Sequence, residues 1–248
     1  MHYTRQGKGA PLLLVHGFPL DSRMWQNQIQ ELSNSFEFIV PDLRGFGQSP
    51  DLDKGWTVGD FATELADLIR QLGFTSLQVC GLSLGGYIAF ELVERNPELV
   101  SKLILCNTRA SGDDELTARA RRWMADRVQW DGTAFVKESM LPRLLAPDNQ
   151  SKKFDPDLEA FFDEAKADSI AVTQLAMSNR RDFSDRLGSI PCPVVVIAGE
   201  HDVITPPEEM QIMSNQIPDS TFHLIGGAGH LTPIENPEEF NRLLLEQV

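Results

Sequence analysis

Short, apolar, β-branched runs punctuate the two ends of the chain and are missing from its middle. They fall at 12–15, 36–40, 77–80, 100–106, 194–198 and 221–225, and their length and composition predict strands of one mostly parallel sheet. Amphipathic stretches lie between them. In 58–72, Phe61, Leu65, Leu68, Ile69 and Leu72 share one helical face. Thr205-Pro206-Pro207-Glu208-Glu209 opens a helix through Ile217, and Asn236 as N-cap, Pro237 in the first turn and Glu238-Glu239 at its positive end predict a last helix to about Leu245. Strands alternating with such crossovers build a doubly wound α/β layer structure.

From about 108 to 187 the strand pattern stops and charged amphipathic stretches take over. They carry Trp123, Met124, Trp130, Phe135, Met140, Leu144, Phe154, Phe161 and Phe162. The pattern predicts a helical insertion, 108–187, in a single α/β core made of 1–107 and 188–248. The aromatics serve either as the core of the inserted helices or as an apolar wall over a pocket.

Composition narrows the classes. At 248 residues the chain can bury a substantial core without disulfides or a structural metal. Its formal net charge of −14 argues against nucleic-acid binding and against docking on an anionic membrane, since both need clustered Lys and Arg. Lys152-Lys153 and Arg121-Arg122 are only short pairs. Cys80, Cys106 and Cys192 are odd in number and sit in or beside apolar runs, so they read as small buried hydrophobes rather than a disulfide framework. No C-x-x-C or H-E-x-x-H spacing points to a metal site. The first residues carry no apolar signal core and no stretch reaches membrane-spanning length; taken as the full chain, this predicts a soluble cytoplasmic protein.

Candidate chemistry centres on Ser83. It lies in Gly81-Leu82-Ser83-Leu84-Gly85-Gly86, directly after one apolar run and before a helical stretch. In a G-x-S-x-G turn the glycines allow a sharp bend and the serine hydroxyl is pushed outward. The pattern alone arises by chance in a chain of this length roughly one time in ten, and the bland reading is a tight packing turn. A serine nucleophile also needs a base and a group to orient that base. Asp202 follows the run 194–198, and His230 follows 221–225 in Gly226-Gly227-Ala228-Gly229-His230. Both fall at the sheet edge expected for Ser83. Each alone reads as a turn residue; together, in the order Ser, Asp, His, they read as a catalytic set. His2, His201 and His223 lack that placement, whereas His16 follows a strand in Val15-His16-Gly17-Phe18.

With these residues in place the chain resembles the α/β-hydrolase superfamily over nearly its whole length. The resemblance implies that the His16-Gly17 turn supports an oxyanion hole formed by the backbone N–H groups of Phe18 and Leu84, with His16 as a brace. Asp42-Leu43-Arg44-Gly45-Phe46-Gly47-Gln48-Ser49 is similar to a family segment that supports the active-site loops, and the insertion falls where relatives carry a helical cap, after the sixth strand of the family's sheet. Gly199-Glu200-His201-Asp202-Val203-Ile204-Thr205-Pro206-Pro207, with Gly227-Ala228-Gly229-His230-Leu231-Thr232-Pro233-Ile234-Glu235-Asn236-Pro237, is similar to the cap-bearing carboxylesterase, enol-lactonase and pimeloyl-carrier-protein methyl ester esterase branch. Serine at 83 departs from the dehalogenase and epoxide hydrolase branches, which attack with Asp. The resemblance therefore implies a serine hydrolase of small carboxylic esters or lactones, with no cofactor and no metal. Relatives with the same three residues also cleave C–C bonds or make peracids, and some serve as ligand receptors with little turnover. Arg119, Arg121, Arg122, Arg180 and Arg181, within the insertion, either pair with nearby acids or meet a substrate carboxylate.

Overall fold

The computed structural model describes residues 1–154 and 156–247; Asp155, within the expected insertion, and Val248, at the end of the expected core, lie outside the described residues. Seven strands form one sheet: β1 (Tyr3–Gly7), β2 (Ala10–Val15), β3 (Phe36–Pro41), β4 (Leu77–Leu82), β5 (Val100–Cys106), β6 (Val194–Gly199) and β7 (Ser220–Ile225). Their spatial order is β1-β3-β2-β4-β5-β6-β7. β1 is antiparallel to β3, pairing Tyr3 with Pro41 and Gly7 with Glu37, and the remaining neighbours are parallel.

Every residue of β6 is buried, as are Leu12 to Val15 of β2 and Val79 to Leu82 of β4. Parallel strands covered on both faces read as continuous apolar runs, which is why these were visible in the pattern, whereas β7, at the far edge, is half exposed and shows only a shorter mixed run. β1 was not among them. Its sequence, Tyr-Thr-Arg-Gln-Gly, is polar and mostly exposed, and it exists as an edge because β3 offers it a free ladder of backbone groups.

Ten helices accompany the sheet among the described residues. Three precede β5: α1 (Gln26–Leu32), α2 (Val58–Gln71) and α3 (Leu84–Arg95). Four fall between β5 and β6: α4 (Glu115–Asp131), α5 (Thr133–Leu144), α6 (Leu158–Glu164) and α7 (Ala167–Ser178). The last three are α8 (Pro207–Asn215), α9 (Thr232–Glu235) and α10 (Pro237–Gln247). α2 opens on a capping box: the Thr57 hydroxyl accepts from the Asp60 N–H at 3.2 Å, and the Thr57 N–H donates to Asp60 Oδ2 at 2.8 Å. Its apolar face, with Phe61, Leu65, Leu68 and Ile69 buried, lies against α3. α10 begins as expected, with Asn236 Oδ1 accepting from the Glu239 N–H at 3.3 Å.

Within the insertion, Phe161 and Phe162 join the core, whereas Trp123 and Trp130 stand exposed. α4 packs on α7 through the small residues Ala118 and Ala125 together with Val128. Leu116, Trp123 and Trp130, seven residues apart, take the opposite, outward face, and Trp130 is 87% exposed. Alanine lets the two helices approach closely, so the bulky residues are left outside.

The topology fixes where chemistry sits. Because β2, β4, β5, β6 and β7 are parallel, the loops that leave their carboxyl ends gather at one edge of the sheet.

Candidate active site

Ser83 links β4 to α3 with φ 53° and ψ −109°, a left-handed conformation for a residue with a side chain. The glycines make this turn fit. A Cβ at Gly81 would stand 2.4 Å from the Gly85 carbonyl carbon, and one at Gly85 would stand 2.3 Å from the Val15 oxygen. Neither approach tolerates a side chain. The turn is tied to the next strand by the Ser83 N–H, which donates to the Cys106 carbonyl at 2.9 Å, and by the Thr108 hydroxyl, which donates to the Ser83 carbonyl at 2.8 Å.

Asp202 and His230 meet directly, with His230 Nδ1 2.8 Å from Asp202 Oδ2 and both residues only 3% exposed. A carboxylate accepts, so Nδ1 carries the proton of this bond, and Nε2 is the ring nitrogen left free for chemistry. Asp202 takes further donors from the Asn107 amide at 2.9 Å, the Thr205 hydroxyl at 2.5 Å, and the Ile204 and Thr205 N–H groups at 2.8 and 3.0 Å. Burial by itself pushes the Asp202 carboxyl up. The charge of His230 and the hydrogen bonds from His230, Thr205 and Asn107 outweigh it and hold the group well below the usual carboxylate range.

Asn107 was not singled out from the sequence, and Thr205 only as the opening of a helix, not as a donor to the acid. Asn107 donates to Asp202 and, at 3.2 Å, to the Gly229 carbonyl, while its own oxygen accepts from the Thr232 hydroxyl at 2.7 Å. One buried amide thus spans the acid and the histidine loop. The available signal was position: Asn107 directly follows β5 at the same sheet edge, and its φ of 45° is one that Asn tolerates.

His16, Gly17 and Phe18 form the neighbouring wall. His16 is buried, donates from Nδ1 to the Gly17 carbonyl and accepts at Nε2 from the Leu43 N–H, both at 2.9 Å. Desolvation lowers its pKa, against the weaker opposing pull of the Gly17 carbonyl, Asp21 and Asp42, so the ring is a neutral brace between two loops. A Cβ at Gly17 would lie 3.5 Å from Ser83 Cβ, which puts this turn against the serine. Among the described residues no protein acceptor takes the N–H of Phe18 or of Leu84, and Leu84 opens α3 at the positive end of its dipole. In the loop behind, burial raises the Asp42 carboxyl, but donors from Ser22 and Gln48 prevail and lower it.

The structure does not bond Ser83 Oγ to His230: among the described residues that hydroxyl has no hydrogen-bond partner, and the serine is half-buried. The two are brought to adjoining loops through Asn107 and Thr108. Of the arginines in the insertion, Arg121 and Arg180 both pair with buried Asp113, Arg122 with Glu115 and Arg181 with Glu91. Among the described residues, no cluster of three or more His, Cys, Asp or Glu could hold a metal ion, and no helix is long and apolar enough to cross a membrane.

Residues 10–237 match the family described as alpha/beta hydrolase fold. The structure of a thermophilic esterase from Thermogutta terrifontis superposes with a TM-score of 0.95 at 39% identity, over 99% of this chain and 91% of that one. An enol-lactonase from Burkholderia xenovorans superposes with a TM-score of 0.89 at 24% identity, over 99% and 95% of the two chains, a likeness of fold. In sequence, a pimeloyl-[acyl-carrier protein] methyl ester esterase of Nitrosospira multiformis is 26% identical, over 94% of this chain and 92% of that one.

Proposed function

The chain belongs to the alpha/beta hydrolase fold family, and from that premise we propose that it is a serine hydrolase of small carboxylic esters or lactones. The observation that carries the reading is the buried Asp202–His230 hydrogen bond, set beside a serine held at positive φ. The esterase and lactonase relatives agree with it.

In this reading Ser83 Oγ attacks the substrate carbonyl carbon as His230 Nε2 takes the hydroxyl proton, and Asp202 keeps the ring in the required tautomer and balances the imidazolium. The carbonyl oxygen becomes an oxyanion between the free N–H groups of Phe18 and Leu84. Collapse of the tetrahedral intermediate breaks the C–O bond, and the imidazolium proton passes to the departing alkoxide. Water, deprotonated by the same His230, then attacks acyl-Ser83, and a second collapse releases the acid and restores the serine. In this reading the Ser83–His230 hydrogen bond closes as substrate binds, since catalytic hydrogen bonds tighten in the substrate complex. The helices of 108–187 act as the cap, where substrate choice is made.

Ser83→Ala should lower kcat for p-nitrophenyl butyrate by at least about a thousandfold with an unchanged melting temperature. Full turnover by that variant would overturn the reading. Many turnovers per Ser83 in the wild-type protein would separate a hydrolase from a ligand receptor, and a panel of esters, lactones and diketones would separate ester cleavage from C–C cleavage.

A further inference from the structure

Glu235 has no task in the reaction just described, yet its carboxylate takes four N–H donors from two distant parts of the chain. Oε1 accepts from the backbone of Gly229 at 2.8 Å and of Leu231 at 3.1 Å, the two amides that flank His230. Oε2 accepts from the Ala146 N–H and from Asn149 Nδ2, both at 2.8 Å, in the loop that follows α5. The end of α5 and the same loop touch the histidine loop twice more. The His230 N–H donates to the Leu144 carbonyl at 2.8 Å, and Asn149 Nδ2 reaches the Gly227 carbonyl at 2.9 Å. Contact is close enough that a Cβ at Gly229 would stand 2.5 Å from the Ala146 nitrogen.

We infer that Glu235 is a positioning residue for His230, and that through it segment 144–149 of the insertion sets where the imidazole stands. The inference rests on His230 acting as the base in the reading above. Asp202 grips only the Nδ1 edge of the ring, which leaves the ring's origin free to shift with its backbone. Glu235 grips that backbone on both sides of the residue with a single oxygen, fixing the direction in which the side chain departs. Its second oxygen ties the same carboxylate to the insertion, so a displacement of 144–149 is passed to the histidine loop through one rigid planar group. The chemistry requires a carboxylate: each oxygen faces two donors, and a glutamine would turn an NH2 group toward one of those pairs. A misplacement of about 1 Å in a catalytic group can lower a rate about a hundredfold.

The test compares Glu235→Gln and Asn149→Ala with the wild-type full chain in p-nitrophenyl butyrate hydrolysis. Active sites are counted by complete fluorophosphonate labelling of Ser83, and folding is followed by thermal melting. Glu235→Gln should lower kcat per labelled site about 10- to 100-fold, the scale of a misplaced catalytic group, with KM changed less than about threefold. Asn149→Ala, which loses one donor to Glu235 and the bond to the Gly227 carbonyl but keeps the grip of Glu235 on both sides of His230, should lower kcat by a smaller factor, about three- to tenfold. Wild-type kcat per labelled site in Glu235→Gln, with only a lower melting temperature, would overturn the inference, because the carboxylate would then merely hold the loops together. Should Glu235→Gln fail to fold, Asn149→Ala decides by the same ratio. Turnover surviving in Ser83→Ala would remove the proposed function itself, whereas its loss there with full kcat in Glu235→Gln removes only the role of Glu235.

Discussion

A serine at φ 53° stores about 1–3 kcal/mol of backbone strain that the surroundings must offset. Here the offset comes from close packing of Gly81 and Gly85 and from the bonds to Cys106 and Thr108. Asn107 makes a comparable contribution on the other side of the site. Asn107→Ala would leave Asp202 short of one donor and strand the Gly229 carbonyl and the Thr232 hydroxyl. Its expected penalty is about 1–3 kcal/mol, read from urea unfolding, together with a lower kcat; a variant as stable and as active as wild type would show the amide to be dispensable. At this scale the sequence exposed the residues whose type and placement are distinctive. Ser83, Asp202, His230 and the His16-Gly17 turn each follow an apolar run. Asn107 and Glu235 escaped because part of what they touch lies 95 and 89 positions away and leaves no local mark, and Thr205 because its hydroxyl, three residues from Asp202, reads as an ordinary turn contact until that acid is placed.

Elements divide along the same line. α2 was legible from its apolar face, which repeats with the helical period and is buried, and the structure adds a reciprocal Thr57–Asp60 cap that the periodicity did not announce. Thr57→Ala should lower stability by about 0.5–2 kcal/mol, seen as a lower urea midpoint with an unchanged slope; an unchanged midpoint would mean that tertiary packing alone holds the helix start. The helical character of the insertion was legible, but neither the bounds of α4 nor its orientation was. Its largest apolar residues, Leu116, Trp123 and Trp130, face outward while Ala118, Ala125 and Val128 face α7. Hydrophobicity ranks residues by transfer, whereas close helix packing selects small ones, and in this helix close packing prevailed. β1 shows the complementary case, a polar strand that exists only because β3 has an unpaired edge.

For the molecule as a whole, the surroundings of a few ionisable groups set its response to pH: desolvation for His16, hydrogen bonds and charge overcoming desolvation for Asp42 and Asp202. Asp42 and Asp202 are held below the usual carboxylate range and His16 below its ordinary value. A group whose folded pKa lies below its unfolded one binds more protons when unfolded. Its contribution is therefore full above the unfolded pKa and drains away as pH falls toward the folded one. Melting temperature should decline first below about pH 6.5, through His16, and again below about pH 4, through the two carboxyls. Asp202→Asn should melt lower at pH 7 and show a smaller second decline; a melting temperature flat from pH 8 to 3 would contradict the assignment. What the sequence determined by itself was the layer architecture and the residues at the ends of its strands, because buried parallel strands and strand-to-helix turns impose local composition. The tertiary structure alone decided which loops meet: the amide of Asn107 on Asp202, the grip of Glu235 on the loop of His230, and the outward tryptophans of α4. Those follow from chain segments brought together across the sheet edge, and contact at such separations depends on the packing of the whole rather than on any periodicity along the chain.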